Sequence, residues 1–363
     1  MNELGLVIMD NIKELGKNID HILSDKYNVE THKIEVNLVK FNNGEGKIEL
    51  KKSVRGKDIF ILSDVGNYSQ TYSMYGTCVP MGPTEHFQDI KRVISAINGH
   101  ASSVTVIMPY LYQSRQDKRN GRESLDCAIA LQELENLKID AIVTFDAHNP
   151  GVQNAIPLMP FENFYPPNTI LRNFISNKNF KANDLMVISP DTGAMDRARY
   201  YADILQVDVG MFYKRRDFTK IINGKNPVVA HEYLGADLKD KDLLIVDDII
   251  ASGGSMLEVV EKAHEKGANN IYLSTSFAFF TNGFSEFDEA YQKGLFKKIY
   301  TTNLTYISKE LKLKKWIEVV DCSIFLSKII DTLHKQTSLS PLIDQKNEII
   351  KLINENKKEE VFN

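Results

Sequence analysis

The sequence predicts an α/β protein built on mostly parallel sheets, and three features support this fold class. Short apolar runs rich in Val, Ile and Leu alternate with longer amphipathic segments along most of the 363 residues. These runs lack a strict polar alternation, as expected of strands that helices cover on both faces. The series occurs twice, once before residue 150 and again from about residue 183. Two similar halves, each a mostly parallel sheet flanked by helices, follow from this repetition.

The individual segments define the elements of the two halves. Prolines crowd residues 157–168, which lack a clean period, so we place the domain boundary there. The N-terminal domain is expected at 1–160 and the C-terminal domain at 161–322, with the helices of 323–363 joining the first. The strand runs are LGLVIMD, KIEVNLV, KDIFILSD, VTVIMPY, AIVTFD, LMVISPD, VDVGMFY, LLIVDD and IYLSTSF. The helical patterns cover residues 11–24, 84–98, 124–137, 194–205 and 255–267.

Composition excludes several classes of protein. The net charge is −4, so the basic excess of a general nucleic-acid binder is missing. No apolar run approaches the roughly 20 residues that span a bilayer, and MNELGLVIMDNIKELG does not have the pattern of a signal peptide. The cysteines at 78, 127 and 322 are too few and too scattered for a disulfide framework. We therefore expect a cytoplasmic protein with no nucleic-acid or membrane partner.

The segment DLLIVDDIIASGGS, residues 242–255, combines a strand, an acidic pair and a loop of small residues before a helix. Ligands of open α/β sheets bind at the carboxyl ends of strands. Backbone N–H groups of a Gly-rich turn and of a helix N-terminus attract phosphate, and carboxylates beside them suit sugar hydroxyls or a cation. The alternative is an ordinary turn with a surface acidic pair. The candidate ligand-binding residues are Asp247, Asp248, Ala251, Ser252, Gly253, Gly254 and Ser255.

This segment resembles the 5-phosphoribosyl diphosphate binding motif of the phosphoribosyltransferase superfamily. Within it, the ribose-phosphate diphosphokinases, also called PRPP synthetases, match best. Further family-like motifs occur in the same order between about residues 30 and 340, and the chain has no P-loop, in agreement with that family. These motifs are KFNNGEGKIEL, PYLYQSRQDKRNGRES, TFDAHNPGVQNAI, VISPDTGAMDRAR and VDVGMFYKRRDF.

The resemblance implies an ATP site in the N-terminal domain. In the family, one of its segments reaches the adenine across a subunit interface, and an arginine and a glutamine of another contact ATP. An aromatic ring can stack on a base, and a guanidinium can stack on adenine or bind phosphate. Without the resemblance, the two segments would be a hairpin turn and a basic surface loop. The matching residues are Phe41, Asn43, Gly44, Glu45, Arg115, Gln116 and Asp117.

The resemblance also implies Mg²⁺ as cofactor and a basic pair for catalysis. His148 falls on the family's magnesium-site histidine, and Asp191 falls on its second metal-site position. Lys214 and Arg216 match a lysine and an arginine on a mobile loop over the reacting phosphates. Lys214 would neutralise charge in the transition state, and Arg216 would hold the transferring group within the ribose 5-phosphate site.

The activity that the resemblance implies is transfer of the β,γ-diphosphoryl group of ATP to the 1-hydroxyl of ribose 5-phosphate, giving PRPP and AMP. The implied substrates are ATP and ribose 5-phosphate, and the implied assembly is a homo-oligomer built from dimers, with a hexamer as one form. The implied architecture is two phosphoribosyltransferase-like domains.

Three features depart from the family. Ala251 stands where the family has an acid, residues 65–81 look like an insertion, and residues 343–363 extend past the usual end. Two alternatives stay open. A non-catalytic regulatory homologue would suit Ala251 and the insertion. A phosphoribosyltransferase would share the motif at 242–255 without needing the two ATP-side segments.

Overall fold

A computed structural model of the protein describes residues 2–119, 121–176, 184–216, 228–343 and 348–353, with only the backbone described at 214–216 and 228–231. The described chain forms two compact units. The first contains the residues up to Pro166 together with Asn303–Tyr306 and Asp321–Ile343. The second contains Pro167–Thr302 and Ile307–Val320, and residues 348–353 also belong to it.

Strands alternate with helices along both units, as the sequence predicts. The strands are β1 (Glu3–Ile8), β2 (Val36–Lys40), β3 (Gly46–Leu50), β4 (Lys57–Leu62), β5 (Thr71–Met74), β6 (Thr77–Pro80), β7 (Ser103–Ile107), β8 (Ala141–Phe145), β9 (Phe161–Phe164), β10 (Leu185–Ser189), β11 (Asp208–Arg216), β12 (Val228–Leu234), β13 (Asp242–Ile250), β14 (Ile271–Ala278), β15 (Lys298–Thr302) and β16 (Ile317–Val320). The helices are α1 (Lys13–Tyr27), α2 (Pro83–Ile97), α3 (Asp126–Asn136), α4 (Pro167–Ser176), α5 (Met195–Leu205), α6 (Gly254–Glu265), α7 (Ser285–Gln292), α8 (Lys309–Lys312), α9 (Ser323–His334) and α10 (Ser340–Ile343).

The first unit is organised around a five-stranded parallel sheet in the order β1-β4-β7-β8-β9. Helix α2 illustrates how the local sequence fixes the elements around it. Pro83 occupies its first turn, and the Gly82 N–H donates to the Glu85 carboxylate at 2.9 Å, which caps the helix start. Phe87, Ile90 and other apolar residues at helical spacing are buried toward the core of the sheet. The helix therefore begins and packs where its sequence dictates.

The second unit contains a seven-stranded sheet in the order β12-β11-β10-β13-β14-β15-β16. Its pairs are parallel except for the antiparallel pair of β11 and β12. Strands β10, β13 and β14 lie at its centre, so their carboxyl ends meet at one edge of the sheet. An aromatic cluster of Phe280, Phe287, Phe296 and Trp316 packs in the core.

The α/β fold class is confirmed, and each of the nine predicted strand runs contains a strand. The run KIEVNLV differs from its expectation, because β2 pairs only with β3 in a separate antiparallel hairpin with partly exposed faces. Residues 65–81, expected to be an insertion, contain a second hairpin, β5–β6. The expectation that all of 323–363 joins the first domain differs from the structure at 348–353, because Ile349 and Ile353 are buried in the core of the second unit. None of the described helices is long and apolar enough to cross a bilayer.

A polar cluster fastens α9 to α1 within the first unit. The Asp331 carboxylate accepts hydrogen bonds from Lys26 Nζ at 2.7 Å and Tyr27 Oη at 2.7 Å, and Lys335 Nζ lies 2.9 Å from it. Burial raises the pKa of Asp331, but these three donors outweigh the burial and hold the pKa at about 2. A carboxyl with a lowered pKa stabilises the folded state above its unfolded pKa of about 3.9. This contribution is lost as the pH falls through about 2.

We expect Asp331→Asn to lower the free energy of unfolding by about 1–3 kcal/mol at pH 7, because a charge-assisted network is lost. The difference from the unsubstituted protein should shrink as the pH falls from 5 toward 2. Urea unfolding across this range measures both. Asp25→Asn is the control, since that side chain lies on α1 and is 71% exposed. A difference that stayed constant down to pH 2 would contradict the assigned electrostatic origin.

Candidate active site

The carboxyl ends of β10 and β13 carry the acidic groups of the candidate site in the second unit. Asp247 and Asp248 lie near the end of β13, and Asp191 follows β10 in the loop before α5. Strands β10 and β13 are parallel neighbours, with Ile188 opposite Ile245. The structure therefore brings three of the predicted site residues to one edge of the sheet.

The acidic pair is held in an unfavourable electrostatic state. Asp248 is 4% exposed, and its backbone N–H donates to Asp247 Oδ1 at 2.9 Å. Burial, followed by the charge and hydrogen bonding of Asp248, raises the pKa of Asp247 well above its ordinary value, and the charge of Asp191 acts in the same direction. Two adjacent carboxylates, one buried and one partly buried, resist simultaneous ionisation. A cation or several hydroxyl donors at this point would favour the fully ionised pair.

Arg197 opposes this shift and was not assigned a role from the sequence. Its Nη1 lies 3.7 Å from Asp247 Oδ1 and 3.9 Å from Asp248 Oδ1, and its side chain is only 10% exposed. Its charge lowers the pKa of Asp247. The position of Arg197 in the first turn of α5 could have indicated its role from the sequence. A cation in the first turn of a helix is opposed by the helix dipole, so its presence there indicates a tertiary partner.

The loop 251–255 presents the N-terminus of α6 beside the acidic pair. Gly253 has φ +94°, and a Cβ at this position would lie 2.3 Å from Phe287 Cε2. Its carbonyl accepts the N–H groups of Met256 and Leu257, which start the helix. A Cβ on Gly254 would meet no atom within 4 Å. The open side at Gly254, with the exposed Ser252 and Ser255, gives an anion access to the helix start.

The remaining residue of this loop, Ala251, is anchored through its backbone. Its carbonyl oxygen accepts the Thr281 N–H at 2.9 Å, so the loop is fastened to the segment that follows β14. The methyl side chain supplies neither a charge nor a hydrogen bond. The loop therefore depends on its backbone and its two serines for polar contacts with a ligand.

Asp191 already has a structural partner. Its Oδ1 accepts hydrogen bonds from the N–H groups of Gly193 at 2.8 Å and Ala194 at 3.1 Å. The carboxylate thus caps the turn that leads into α5, which is the helix that carries Arg197. Binding of a cation at Asp191 would have to coexist with this cap.

In the first unit, the turn between β2 and β3 holds the predicted adenine-site residues. The Phe41 side chain is 45% exposed. Its N–H donates to the Glu45 carbonyl at 2.8 Å, and Gly44 has φ +92°. The Asn43 amide donates to the Glu45 carboxylate at 2.9 Å and accepts the Glu45 N–H at 3.1 Å. The four predicted residues therefore form one ordered turn with an accessible aromatic ring.

The predicted RQD segment follows β7 and is tied to the loop that follows β8. Asp117 Oδ2 accepts the Asn149 amide at 2.5 Å, and Asn149 Oδ1 accepts the Gly151 N–H at 2.9 Å. Since His148 precedes Asn149, this bond brings the RQD loop beside the loop of the predicted metal-site histidine. Arg115 and His148 are exposed, and the Gln116 amide donates to the Ser124 carbonyl at 2.8 Å. Sequence reasoning missed Asn149, although it lies in the quoted motif.

The predicted catalytic pair falls on β11. The backbone of Lys214 pairs with His231 of β12, that of Arg216 pairs with Val228, and the register shifts between Arg215 and Arg216. Their side chains, and the segment 217–227, lie outside the described residues. The family's loop position thus corresponds here to the end of a strand.

The described His, Asp and Glu side chains can be compared with the ligands that the implied magnesium ion requires. Among the described residues, no group of three or more His, Cys, Asp or Glu side chains is arranged to hold a metal ion directly. The two predicted metal-site residues, His148 and Asp191, belong to different units. Asp191 and the acidic pair nevertheless concentrate oxygen donors and negative charge at one edge. This set fits Mg²⁺, which keeps several waters and binds through few carboxylates and the phosphates of its ligand.

We expect Gly253→Ala to lower the stability of the protein by about 2–4 kcal/mol, because the new methyl group meets Phe287 and the backbone must keep a positive φ. Gly254→Ala is the matched control, since its methyl group points into open space, and its effect should stay within about 0.5 kcal/mol. Scanning calorimetry of the two variants measures the contrast. Equal effects would show that the close approach of Phe287 does not determine the residue at 253.

Known protein families match both halves of the chain. The N-terminal domain of ribose phosphate pyrophosphokinase matches residues 4–137, and the phosphoribosyl transferase domain matches residues 168–308. Ribose-phosphate pyrophosphokinase 1 of Streptococcus pneumoniae is 25% identical over 345 residues, which are 94% of this chain and 98% of that protein. Ribose-phosphate pyrophosphokinase of Mycoplasmopsis pulmonis is 28% identical over 334 residues, covering 89% and 93% of the two chains.

A solved structure agrees with the fold. The phosphoribosylpyrophosphate synthetase of Mycobacterium smegmatis superposes with a TM-score of 0.75 at 21% identity and covers 92% of this chain and 99% of its own. The two family domains match successive parts of this one chain, and the alignment with the Streptococcus pneumoniae protein covers nearly the whole length of both. The chain belongs to the ribose-phosphate pyrophosphokinase family.

Proposed function

We propose that the protein transfers the β,γ-diphosphoryl group of ATP to the 1-hydroxyl of ribose 5-phosphate and so forms PRPP and AMP. The observation that carries this proposal is the edge of the second sheet, where the buried Asp248 and the partly buried Asp247 lie beside an open helix N-terminus. A ligand with an anionic group for the helix N-terminus and hydroxyls for the acidic pair would fit this edge. The relatives named as ribose-phosphate pyrophosphokinases, matched along nearly their whole length, support the same conclusion.

The ribose 5-phosphate site follows from the charges in the second unit. The 5-phosphate binds the backbone N–H groups and serines of the loop 251–255, where the helix dipole favours an anion. Asp247 and Asp248 accept hydrogen bonds from the ribose hydroxyls, which relieves the repulsion between the two carboxylates. Arg197 positions this pair. Ala251 contributes only its backbone, so the sugar is held without the acid that the family has at that position.

The nucleotide site uses the two motifs of the first unit. The exposed ring of Phe41 stacks on the adenine, and Asn43 and Glu45 contact the edge of the base in the turn that Gly44 permits. Arg115 and Gln116 bind ATP, and Asp117 fixes their loop through Asn149.

The chemistry is an in-line displacement at phosphorus. The ribose 1-hydroxyl oxygen attacks the β-phosphorus of ATP and its proton is released to water. The bond from that phosphorus to the oxygen bridging the α- and β-phosphates breaks, and AMP leaves with this oxygen. Lys214 neutralises the developing charge, and Arg216 holds the transferring group against the ribose site. Bound Mg²⁺ would supply further charge neutralisation on the phosphates. The resemblance offers two residues for it, His148 in the first unit and Asp191 in the second, each acting directly or through water.

Assembly and location follow the family. We propose a homo-oligomer built from dimers, of which a hexamer is one form, because the family's counterpart of the Phe41 turn serves the adenine of a neighbouring subunit. We propose a cytoplasmic location, which the sparse cysteines favour.

One assay tests the activity. Purified protein is mixed with ATP, Mg²⁺ and ribose 5-phosphate, and AMP and PRPP are quantified with and without the sugar. We expect both products in equal amounts, and AMP only when the sugar is present. Nucleotide binding without sugar-dependent AMP would support the non-catalytic homologue instead, which Ala251 and the insertion at 65–81 favour. Consumption of PRPP with a nucleobase would support a phosphoribosyltransferase.

The neighbouring basic residues of β11 provide a test of the catalytic assignment. We expect Lys214→Ala to lower kcat by about 100-fold or more with a small effect on the KM values, because its charge acts mainly in the transition state. Arg215→Ala, one residue along the same strand, should change kcat less than about threefold. Near-normal turnover of the Lys214 variant, or equal losses in both, would remove Lys214 from the catalytic role.

Asp247 should limit stability while supporting activity. Its raised pKa means that its ionisation opposes folding, so the stability of the protein falls as the pH rises above the unfolded pKa of about 3.9 toward the folded value. Asp247→Asn should therefore stabilise the free protein by about 1–3 kcal/mol at pH 8, with a smaller gain at pH 5, and should abolish turnover.

Thermal unfolding at both pH values checks this expectation. Asp196→Asn is the matched control, because that carboxyl lies in the same unit and is 93% exposed. A loss of stability in the Asp247 variant at pH 8 would show that the acidic pair holds the fold together rather than opposing it.

A further inference from the structure

The hairpin β5–β6 lies in the residues that looked like an insertion, and the proposed reaction assigns it no role. Its two-residue turn consists of Tyr75 and Gly76, both with positive φ, +48° and +77°. This is the pattern of a type I′ hairpin turn, which glycine and asparagine adopt readily and a bulky side chain does not. Tyr75 is nevertheless placed there, with its side chain 80% exposed. An unfavourable backbone conformation that persists indicates that the surrounding contacts enforce it.

Those contacts are made with the turn that carries the proposed adenine-site residues. The Tyr75 N–H donates to the Asn42 carbonyl at 2.8 Å. Met74 lies against Gly44, because its Sδ is 3.1 Å from the position that a Cβ on Gly44 would take. The tip of one hairpin therefore fastens the tip of the other by a backbone hydrogen bond and a side-chain contact.

A second contact fixes the base of the same turn. Lys40, the last residue of β2, has its ammonium group 5.8 Å from the ring centroid of Tyr72 in β5. The same ammonium group lies 3.0 Å from the buried Asp89 carboxylate of α2. The turn 41–45 is thus held at its start by α2 and β5 and at its tip by Met74 and Tyr75.

We propose that the hairpin β5–β6 is a positioning element for the nucleotide base, which holds Phe41, Asn43 and Glu45 in their binding arrangement before ATP arrives. This inference rests on the proposed function. A two-stranded hairpin by itself is marginally stable in water, so β2–β3 needs outside contacts to keep its turn ordered. Ordering the turn in advance removes an entropic cost from nucleotide binding. The ribose 5-phosphate loop belongs to the other unit and has no share in these contacts.

The hairpin can be removed cleanly. Met81 N–H donates to the Gln70 carbonyl at 2.8 Å, so the two ends of the segment are already hydrogen-bonded neighbours. Replacing residues 71–80 by Asn-Gly leaves Gln70 and Met81 as the flanks of a two-residue turn with the same hydrogen bond. Met74→Ala is the milder variant, since it removes one contact and keeps the hairpin. Cys78→Ser is its control, because that side chain is exposed on the opposite strand.

The test compares steady-state kinetics of the full-length enzymes. We expect the excision to raise KM for ATP about tenfold, equivalent to about 1.4 kcal/mol, and Met74→Ala to raise it about threefold. The kcat and the KM for ribose 5-phosphate should stay within about twofold, and Cys78→Ser should match the unsubstituted enzyme. The preference for ATP over GTP should fall in the enzyme that lacks the hairpin, because a less ordered turn discriminates less between adenine and guanine.

Three outcomes would overturn the inference. The first is an unchanged KM for ATP in both hairpin variants. The second is a fall in kcat together with a rise in the KM values for both substrates, which would mean general damage to the fold. The third is a smaller particle mass by light scattering, which would mean that the hairpin serves assembly. Failure of the proposed function is recognised separately, because the unsubstituted protein would then form no AMP at all.

Discussion

The repulsion between two adjacent carboxylates at the end of β13 is the constraint around which the candidate site of the second unit is arranged. Asp248 is buried, and its neighbour Asp247 has a strongly raised pKa, so the free protein carries an electrostatic cost at the centre of its sheet. Arg197 relieves part of this cost and sits in the first turn of α5, against the helix dipole. The turn into that helix is in turn capped by Asp191. The ribose hydroxyls of the proposed substrate would relieve the remaining repulsion between the two carboxylates.

A steric constraint acts beside the electrostatic one. The aromatic cluster around Trp316 brings Phe287 under the loop 251–255, and only glycine at 253 leaves room for it. The same positive φ turns the chain into α6 and leaves the helix N-terminus open at Gly254. The two consecutive glycines therefore have different surroundings. Packing against Phe287 requires glycine at 253, whereas the side of Gly254 is open.

In the first unit, the exposed turn that carries Phe41 is held in a defined conformation. Phe41 is 45% exposed, so burial does not fix its position. The structure fixes its backbone instead, through hydrogen bonds within the turn and through the neighbouring hairpin β5–β6. The loop of Arg115 is ordered in a comparable way by the bond between Asp117 and Asn149. In both places an exposed side chain, Phe41 or Arg115, lies on backbone that neighbouring residues hold in place.

The sequence by itself determined the α/β class, the central strands and the motif residues, because buried parallel strands are continuous apolar runs and short motifs are local. It could not determine that β2 leaves the main sheet, since a short apolar run has the same pattern in a sheet and in a hairpin. Only the tertiary structure placed Arg197 against the acidic pair, Asn149 against Asp117, and Met74 and Tyr75 against the turn of Phe41. These contacts join residues that are distant along the chain or belong to different motifs. No local pattern encodes them, because they arise only when strands and loops meet at the edge of a folded sheet.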